Sequence, residues 1–486
     1  MDASLVSAAV NGNAHEIDAL IKRGVCIELK DSQRGRTALI WAALYGHTEC
    51  VRVLVDAGAN TAAKDAEETT ALFWAADNGH TDCMRLLTNG GADNEARNQQ
   101  GGTALIVAAC NGFIDCVRLL VDSGADKEAA DDQGKTALLW AACQGHTDCV
   151  RLLLDGGANK EASDKEKMTA LSLAALNGHA NCVQLLLNIG ADKEARDEME
   201  MAALHWASFH GHVDCVRLLM NANANKEAKD DQGTTALILA ARNGQTSCAR
   251  QLVDGGANKQ EKNDRGFTAL MSAAIKGHTD CVRLLIEVGS KTEIKTNFGR
   301  TAMICAAAKG HTSCLRLLLD GGANKEAWDD ERTTVLSWAA HHGHTDCVRL
   351  LLARGANKES KDKYGKTALD WARAESKHDV IRLLVLCSEA KLDMALMDPK
   401  KRARFMGRAC HNCFNTKITM FKCGLCLNAR FCSKECQKTN WPLHKVICDR
   451  GGQSKTTISS QPCDEYACST QSTLLQKCVK APQAIL

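Results

Sequence analysis

The chain has 486 residues, of which 45% are apolar and 24% are charged, with a formal net charge of +2. This composition is ordinary for a soluble protein, and the small net charge gives no global argument for a nucleic-acid or membrane partner. The N-terminal stretch "MDASLVSAAVNGNAHE" lacks a secretory pattern, and no run of 18 apolar residues follows, so we expect no membrane span. The 25 cysteines then favour a reducing, intracellular location, cytoplasmic, nuclear or both.

The first part of the chain repeats itself with a period of 33 residues, which predicts one long domain over residues 1–388. A degenerate copy of the repeat begins at Ser4, which gives about twelve units. The triplet "TAL", or a close variant of it, begins at Thr37, Thr70, Thr103, Thr136, Thr169, Ala202, Thr235, Thr268, Thr301, Thr334 and Thr367.

Each unit predicts two short helices and a turn. Thr37 is a suitable N-cap for a helix from Ala38 to Tyr45, and Gly46 can end it in the left-handed conformation. A second helix is expected from about Thr48 to Ala57, with Gly58 at its end. The polar segment "NTAAKDAEE" that follows is typical of a turn or a short hairpin.

This helix–turn–helix–hairpin unit resembles the ankyrin repeat over roughly residues 1–388. The resemblance implies an all-α solenoid whose groove holds protein partners. The family's Thr-Pro-Leu-His tetrapeptide is absent here, and only His205 keeps the histidine, so we do not expect the family's threonine–histidine hydrogen bonds throughout. The variable residues, such as Leu44 and Tyr45, and the hairpin tips are the expected partner-binding positions. Neutral drift at exposed sites explains the same variation.

Cysteine, histidine and tryptophan recur in fixed positions of the repeat. We interpret the cysteine of "GHTDCVRLL", such as Cys50, as a buried structural thiol, because it occupies an apolar helix position. The tryptophan four residues after the threonine, such as Trp41, is predicted to fill the core. The recurring "NKEA" is interpreted as a solvated charge pair.

A separate cluster near the C-terminus, "CHNCFNTKITMFKCGLCLNARFCSKECQKTNWPLHKVIC", has metal-ligand spacing. Eight soft ligands fill two closed, four-coordinate sites, which is the structural form of zinc, and they leave no position for a catalytic water. A fragment of about forty residues needs such metal to fold. The candidate ligands are Cys410, Cys413, Cys423, Cys426, Cys432, Cys436, His444 and Cys448.

The order and spacing of these ligands closely resemble the MYND zinc finger over residues 410–448. The resemblance implies one zinc on Cys410, Cys413, Cys432 and Cys436, and the other on Cys423, Cys426, His444 and Cys448. It also implies capture of short proline-containing peptides, with Gln437 and Trp441 matching the residues that contact the peptide. The competing interpretation makes Trp441 a core anchor of a very small domain. RING-type fingers also interleave two zincs, but their ligand spacings differ.

The flanks of the cluster are a basic linker at residues 389–409, which contains "PKKRAR", and a tail at residues 449–486 that is predicted to be disordered. The basic run "PKKRAR" resembles a nuclear-import signal, and short basic runs of this kind also arise by chance. Residues 401–450 contain eleven Lys or Arg and two acids. That excess could attract nucleic acid, which we rank below peptide binding because stacking aromatics are scarce.

The sequence contains two binding modules and no GxGxxG, GxxxxGK[ST] or HExxH motif. We therefore predict a non-enzymatic adaptor or scaffold, in which the repeats bind one protein and the zinc finger binds a peptide of another. The alternatives are a ubiquitin-ligase-like recruiter and a regulator that docks on nucleic acid through the basic finger.

Overall fold

The computed structural model describes residues 3–385 and the two strands β1 (Phe421–Lys422) and β2 (Arg430–Phe431). The chain divides into two compact units, Met1–Val385 and Leu386–Leu486. In the second unit, β1 and β2 pair antiparallel, with Phe421 opposite Phe431 and Lys422 opposite Arg430.

The first unit consists of short helices joined in pairs, one pair in each repeat. Residues 378–385 are helical as well and form α24, the partner of α23. The other helices are α1 (Ala3–Val10), α2 (Ala14–Lys22), α3 (Ala38–Leu44), α4 (Thr48–Asp56), α5 (Ala71–Asp77), α6 (Thr81–Asn89), α7 (Ala104–Asn111), α8 (Ile114–Asp122), α9 (Ala137–Gln144), α10 (Thr147–Asp155), α11 (Ala170–Asn177), α12 (Ala180–Asn188), α13 (Ala203–His210), α14 (Val213–Asn221), α15 (Ala236–Arg242), α16 (Thr246–Asp254), α17 (Ala269–Lys276), α18 (Thr279–Glu287), α19 (Ala302–Ala308), α20 (Thr312–Asp320), α21 (Val335–His342), α22 (Thr345–Ala353) and α23 (Ala368–Ala374).

The pairs stack in sequence order and form two layers. Each first helix contacts the first helix of the next pair, as α3 contacts α5, and each second helix contacts the next second helix, as α4 contacts α6. This arrangement confirms the predicted all-α ankyrin-repeat solenoid. Among the described residues, no helix has the length and apolar character needed to cross a bilayer.

Local sequence sets the start of each first helix and the close approach of its neighbours. Thr37 Oγ1 accepts a hydrogen bond from the Ile40 backbone N at 3.4 Å, as expected of an N-cap. Ala42 and Ala43 are fully buried, and their small side chains let adjacent first helices pack closely. Helices α3 and α4 end one residue earlier than predicted, because the last predicted residue of each already has non-helical cap torsions.

The two glycine positions of a unit favour glycine for different physical reasons. Gly46 has a φ of 73°, and a Cβ placed there would lie 2.6 Å from the His80 ring of the next unit. Gly58 has a φ of 80° with nothing within 4 Å of such a Cβ, so it needs only the left-handed conformation. Asn223 meets that need in another unit, with a φ of 58°, and Ser376 occupies the first glycine position of the last unit with a φ of 53°.

The segments between units are turns, as the polar composition predicts. Backbone hydrogen bonds connect successive hairpins, as Ala66 N donates to the Arg34 carbonyl at 2.9 Å. Within the described residues, the two arms of one hairpin are paired by a single bridge at most. Such bridges are present in five units, at Lys30–Thr37, Lys64–Thr70, Ala130–Thr136, Ser163–Thr169 and Trp328–Thr334.

Candidate interaction sites

The predicted zinc ligands and the predicted peptide-contacting residues, Gln437 and Trp441, lie outside the described residues. The described backbone nearest to them in sequence is the β1–β2 pair, whose strands directly precede Cys423 and Cys432. The candidate sites that the structure describes therefore lie in the repeats.

The periodic cysteines are buried, as predicted. Cys50, Cys149 and Cys248 are each at most 1% exposed. Burial raises the pKa of Cys149 to about 11 and that of Cys248 to about 12, so these thiols stay protonated at neutral pH and are poor nucleophiles and metal ligands. Within the described part of the chain, no group of three or more His, Cys, Asp or Glu residues is arranged to hold a metal ion.

The periodic histidines link each unit to the one before it. His80 Nε2 lies 3.1 Å from the Leu44 carbonyl, and His146 Nε2 lies 2.9 Å from the Cys110 carbonyl. A carbonyl only accepts, so the imidazole donates, and burial lowers the pKa of His179, which favours the neutral ring. Gln245 makes the equivalent, longer contact at 3.5 Å. The same contact is made by His47, His179, His212, His278, His311 and His344.

One histidine has a different role, in the unit that lacks the capping threonine. The N-cap position there is Ala202, and the Ala202 backbone N donates to His205 Nδ1 at 3.1 Å. His205 Nε2 in turn lies 2.9 Å from the Ala228 carbonyl. The imidazole thus joins the start of α13 to the turn that follows α14.

The glutamate of "NKEA" also connects successive units, which corrects the interpretation of this motif as a solvated charge pair. Glu227 Oε1 accepts a hydrogen bond from the backbone N of Asn258 at 2.8 Å. Glu128, in the variant "DKEA", accepts the same bond from the backbone N of Asn159 at 2.8 Å. Sequence reasoning missed this role because the partner lies 31 residues away, although the near-constant glutamate at an exposed position was a signal.

The tryptophans were assigned to the core, and this prediction was only partly right. Trp74 and Trp206 are buried, at 5% and 6% exposure, but the other four are half-buried. Each indole Nε1 donates to an aspartate Oδ2 in the hairpin of its own unit. The pairs, at 2.7–2.9 Å, are Trp41–Asp31, Trp74–Asp65, Trp140–Asp131, Trp206–Asp197, Trp338–Asp329 and Trp371–Asp362.

These aspartates organise the hairpin as well. Asp329 Oδ1 accepts from the backbone N atoms of Glu331 and Thr333, at 3.1 and 2.9 Å, while its Oδ2 accepts from Trp338. One carboxylate therefore holds the turn and ties it to the first helix. The signal was present in the sequence, because every one of these tryptophans follows an aspartate by nine or ten residues.

Five units after the first have no tryptophan at this position, and only some of them have the aspartate. Three of them have a neutral residue there, namely Asn98, Asn263 and Thr296. The other two keep the acid, as Asp164 and Asp230. Burial raises the pKa of Asp164 to about 6, and Asp230 Oδ2 has no partner within the described chain. When the indole is absent, an aspartate at this position keeps the turn bonds to its Oδ1 but lacks the indole donor to its Oδ2.

The variable residues predicted to bind partners lie at the C-terminal ends of the first helices. The Tyr45 side chain is 49% exposed and stacks on Trp41, with ring centroids 5.7 Å apart. Lys276 and Lys309 occupy the same position as Tyr45 in later units and are exposed. The structure places these side chains beside one another along the first-helix layer, because α17 and α19 are in contact.

The chain belongs to the ankyrin repeat family. The family model for ankyrin repeats (3 copies) matches residues 3–65, 60–131, 123–197, 196–263, 256–329 and 321–395. The MYND finger model matches residues 410–448. Both are protein–protein interaction domains, and the MYND finger is a zinc-binding one.

Two curated relatives match this chain over the finger and not over the repeats. N-lysine methyltransferase SMYD2-B of Danio rerio is 48% identical over 42 residues, and so is N-lysine methyltransferase SMYD2 of Homo sapiens. The match covers 9% of this chain and 10% of either relative. The similarity to these methyltransferases is thus confined to the MYND region.

Two ankyrin repeat domains are among the solved structures that match. The domain of Bcl-3 is 30% identical with a TM-score of 0.40, and the match covers 44% of this chain and 97% of that one. The domain of human ASB11 is 27% identical with a TM-score of 0.43, and the match covers 46% of this chain and 99% of that one.

Proposed function

We propose that this protein is a non-enzymatic adaptor that holds two other proteins at once. The repeats bind one partner along the exposed ends of their first helices, and the zinc finger binds a short proline-containing peptide of another. The observation that carries the proposal is the presence of two interaction domains of different families in one chain.

Affinity capture tests the two-partner arrangement. Full-length protein and a Cys423→Ser variant would be used as baits, and captured proteins would be identified by mass spectrometry. We expect the variant to lose one set of partners and to keep the set held by the repeats. Capture of identical sets by both baits would contradict the proposal, because the finger would then contribute no partner.

Two zinc ions are proposed to hold the finger together, in the interleaved sets that the MYND resemblance implies. Seven thiolates and one imidazole are soft ligands of the kind that zinc prefers. When bound, the metal supplies cross-links in place of a large apolar core. The residues that would hold one ion are Cys410, Cys413, Cys432 and Cys436, and those for the other are Cys423, Cys426, His444 and Cys448.

Metal content measures this directly. We expect two zinc ions per chain by elemental analysis, and a loss of at least one ion in Cys423→Ser. Cys463→Ser is the matched control, because Cys463 lies in the tail outside the ligand set, and it should keep both ions. A single ion in the unmodified protein would refute the two-ion assignment.

Peptide capture is proposed to depend on Gln437 and Trp441. Four residues separate them, so a helix in this segment would carry both on one face. We expect Trp441→Ala to weaken binding of a proline-containing peptide about tenfold or more, since buried aromatic anchors dominate such interfaces. Zinc content should be unchanged in the variant. A variant that keeps its zinc and its full peptide affinity would assign Trp441 to the core instead.

The alternatives make different predictions in the same preparations. A ligase-like recruiter would support ubiquitin-chain formation in a purified reaction with a conjugating enzyme. A nucleic-acid regulator would bind an oligonucleotide with an affinity that falls steeply as salt rises. We place the adaptor in the cytoplasm, the nucleus or both, where free buried thiols such as Cys50 and Cys83 stay reduced.

A further inference from the structure

The ends of the first helices form a row whose chemistry changes along the repeats. We call this the end row: the residue eight positions after each threonine, or after Ala202. Three asparagines of this row use their side-chain amides within their own helices. The amide of each donates to a backbone carbonyl four residues earlier at 2.8–3.0 Å, in Asn78, Asn177 and Asn243. The full end row is Tyr45, Asn78, Asn111, Gln144, Asn177, His210, Asn243, Lys276, Lys309, His342 and Glu375.

The later part of the end row carries positive charge with no acid bound to it. Lys276 and Lys309 are exposed, and neither ammonium has a hydrogen-bond or ion-pair partner among the described residues. The next member, His342, lies near Lys309 and Lys377. Partial burial and then the positive neighbours, including both lysines, lower the pKa of His342 to about 4.

From Lys276 to His342 the end row contains no acid, and Glu375 is the member that follows His342. Other acidic side chains of these units are engaged elsewhere or lie outside the end row. Asp329 and Asp362 accept hydrogen bonds from indoles, and Glu331 forms an ion pair with Lys363. Asp264 and Asp330 lie on the hairpin turns. The charge of the lysine pair is therefore left for an external ligand.

The spacing of the row fixes how such a ligand would fit. Packed helices lie about 8–10 Å apart, and α17 contacts α19 directly. A peptide in the polyproline II conformation has three residues per turn and advances about 3.1 Å per residue, so every third side chain lies on one face at a spacing of about 9 Å. Carboxylates at every third residue of such a peptide would thus meet successive members of the end row.

We propose that the end row from Lys276 to His342 binds an acidic peptide in the polyproline II conformation, with an Asp or Glu at every third residue. Two of these carboxylates pair with Lys276 and Lys309, and a third lies between His342 and Lys377. This inference rests on the proposed role of the repeats as a partner-binding surface and specifies the class of partner.

Single-stranded nucleic acid fits the same charges less well. Binding of its bases needs aromatic rings with open faces. The Trp338 ring has His342 stacked on it at 5.6 Å, and the Arg300 guanidinium lies 4.3 Å from its centroid. The aromatic surface at this end of the row is therefore already covered by other side chains.

Fluorescence anisotropy with the full-length protein tests the proposal. The probe is a labelled ten-residue peptide with glutamate at every third position, compared at low salt with a peptide of the same composition whose glutamates are contiguous. We expect the spaced peptide to bind more tightly. The double variant Lys276→Gln, Lys309→Gln should weaken its binding about tenfold or more, because two charged contacts are lost.

A charge-matched control is Lys127→Gln with Lys193→Gln, which removes two lysines from the turns after second helices. It should change the affinity less than about twofold, since it removes only long-range attraction, which salt screens. Equal losses in both double variants would overturn the proposal. So would equal binding of the two peptides, or tighter binding of a single-stranded oligonucleotide of the same charge.

The peptide titration and the affinity capture test separate claims, so either claim can be overturned without the other. A partner that depends on the repeats but lacks the spaced acids would overturn this inference and leave the adaptor function in place. Absence of any partner that depends on the repeats would overturn the adaptor function itself.

Discussion

The interior units and the last unit follow one sequence pattern, and they differ at residues that a following unit would contact. Gly277, in an interior unit, lies against His311 of the next one. The last unit has Ser376 at the same position, and the 33-residue sequence pattern does not continue after that unit. Constancy of a residue across repeats therefore reports a partner in the neighbouring unit as well as its own backbone conformation.

The strongest test of this comparison places a methyl group at two glycines of the same unit. Gly277 and Gly289 have φ values of 81° and 79°, so alanine strains both backbones equally. Only Gly277 has a close neighbour, with the His311 ring 2.5 Å from the Cβ position. We expect Gly277→Ala to lower the free energy of unfolding by about 3 kcal/mol and Gly289→Ala by about 1 kcal/mol.

Chemical denaturation of both variants measures the difference. Losses of equal size would mean that the backbone conformation alone explains the glycine, and the contact with the next unit would then have no energetic role.

The second test applies the same idea within a unit, where the partner is an indole. In Asp329→Asn, the amide oxygen can keep the turn bonds, which leaves its NH2 group facing the Trp338 N–H. Two donors then meet, and we expect a loss of about 2 kcal/mol in the free energy of unfolding. An unchanged stability would mean that the Trp338–Asp329 hydrogen bond contributes nothing net.

The third test is the matched change where the indole is absent. Asp164→Asn should raise the free energy of unfolding by about 1 kcal/mol at pH 7, because it removes a buried charge, while the amide can still accept the turn bonds as Asn98 does. The pKa of Asp164 is raised from 3.8 to about 6 by burial. Its contribution to stability is therefore complete below pH 3.8 and is lost as the pH rises through about 6.

Denaturation at pH 5 and pH 7 checks this sign. The advantage of Asp164→Asn over the unmodified protein should be larger at pH 7 than at pH 5. A larger advantage at pH 5 would contradict the assigned direction of the pKa shift.

The smallest expected effect is at the end of the stack. Ser376→Gly should stabilise the last unit by about 0.5 kcal/mol, because glycine relieves a φ of 53° but gains entropy in the unfolded chain. Hydrogen exchange of the α23 amides should become slower. Faster exchange would show that the Ser376 side chain has a stabilising contact that outweighs the strain.

Much of the solenoid follows from the sequence alone, because its signals are local. The threonine caps, the left-handed glycines and the paired alanines act within a few residues, and the helix pairs were predicted to within one residue at the ends compared. The links between units were not found, since Glu128 and Asn159 are 31 residues apart and nothing local marks them as partners. The roles of Cys423, Gln437 and Trp441 stay predictions from the resemblance.

The tryptophans show a different reason for a wrong prediction. Their register reads as apolar when only hydrophobicity is counted, and that view ignores the indole N–H, which needs an acceptor when it is half-buried. The recurring aspartate before Trp41, Trp140 and Trp338 was the missing information.

The contacts between units also determine which changes in the number of repeats the fold can accommodate. The histidine and glutamate bonds join residues 36 and 31 positions apart, and each therefore reaches only the adjacent unit. Deletion of one interior block of 33 residues would bring equivalent donors and acceptors together across the new junction. The stack can therefore lose or duplicate whole units without an unpaired surface forming. One extra residue in a hairpin is accommodated as well, because the bond from His47 to the Val10 carbonyl spans 37 positions where the others span 36.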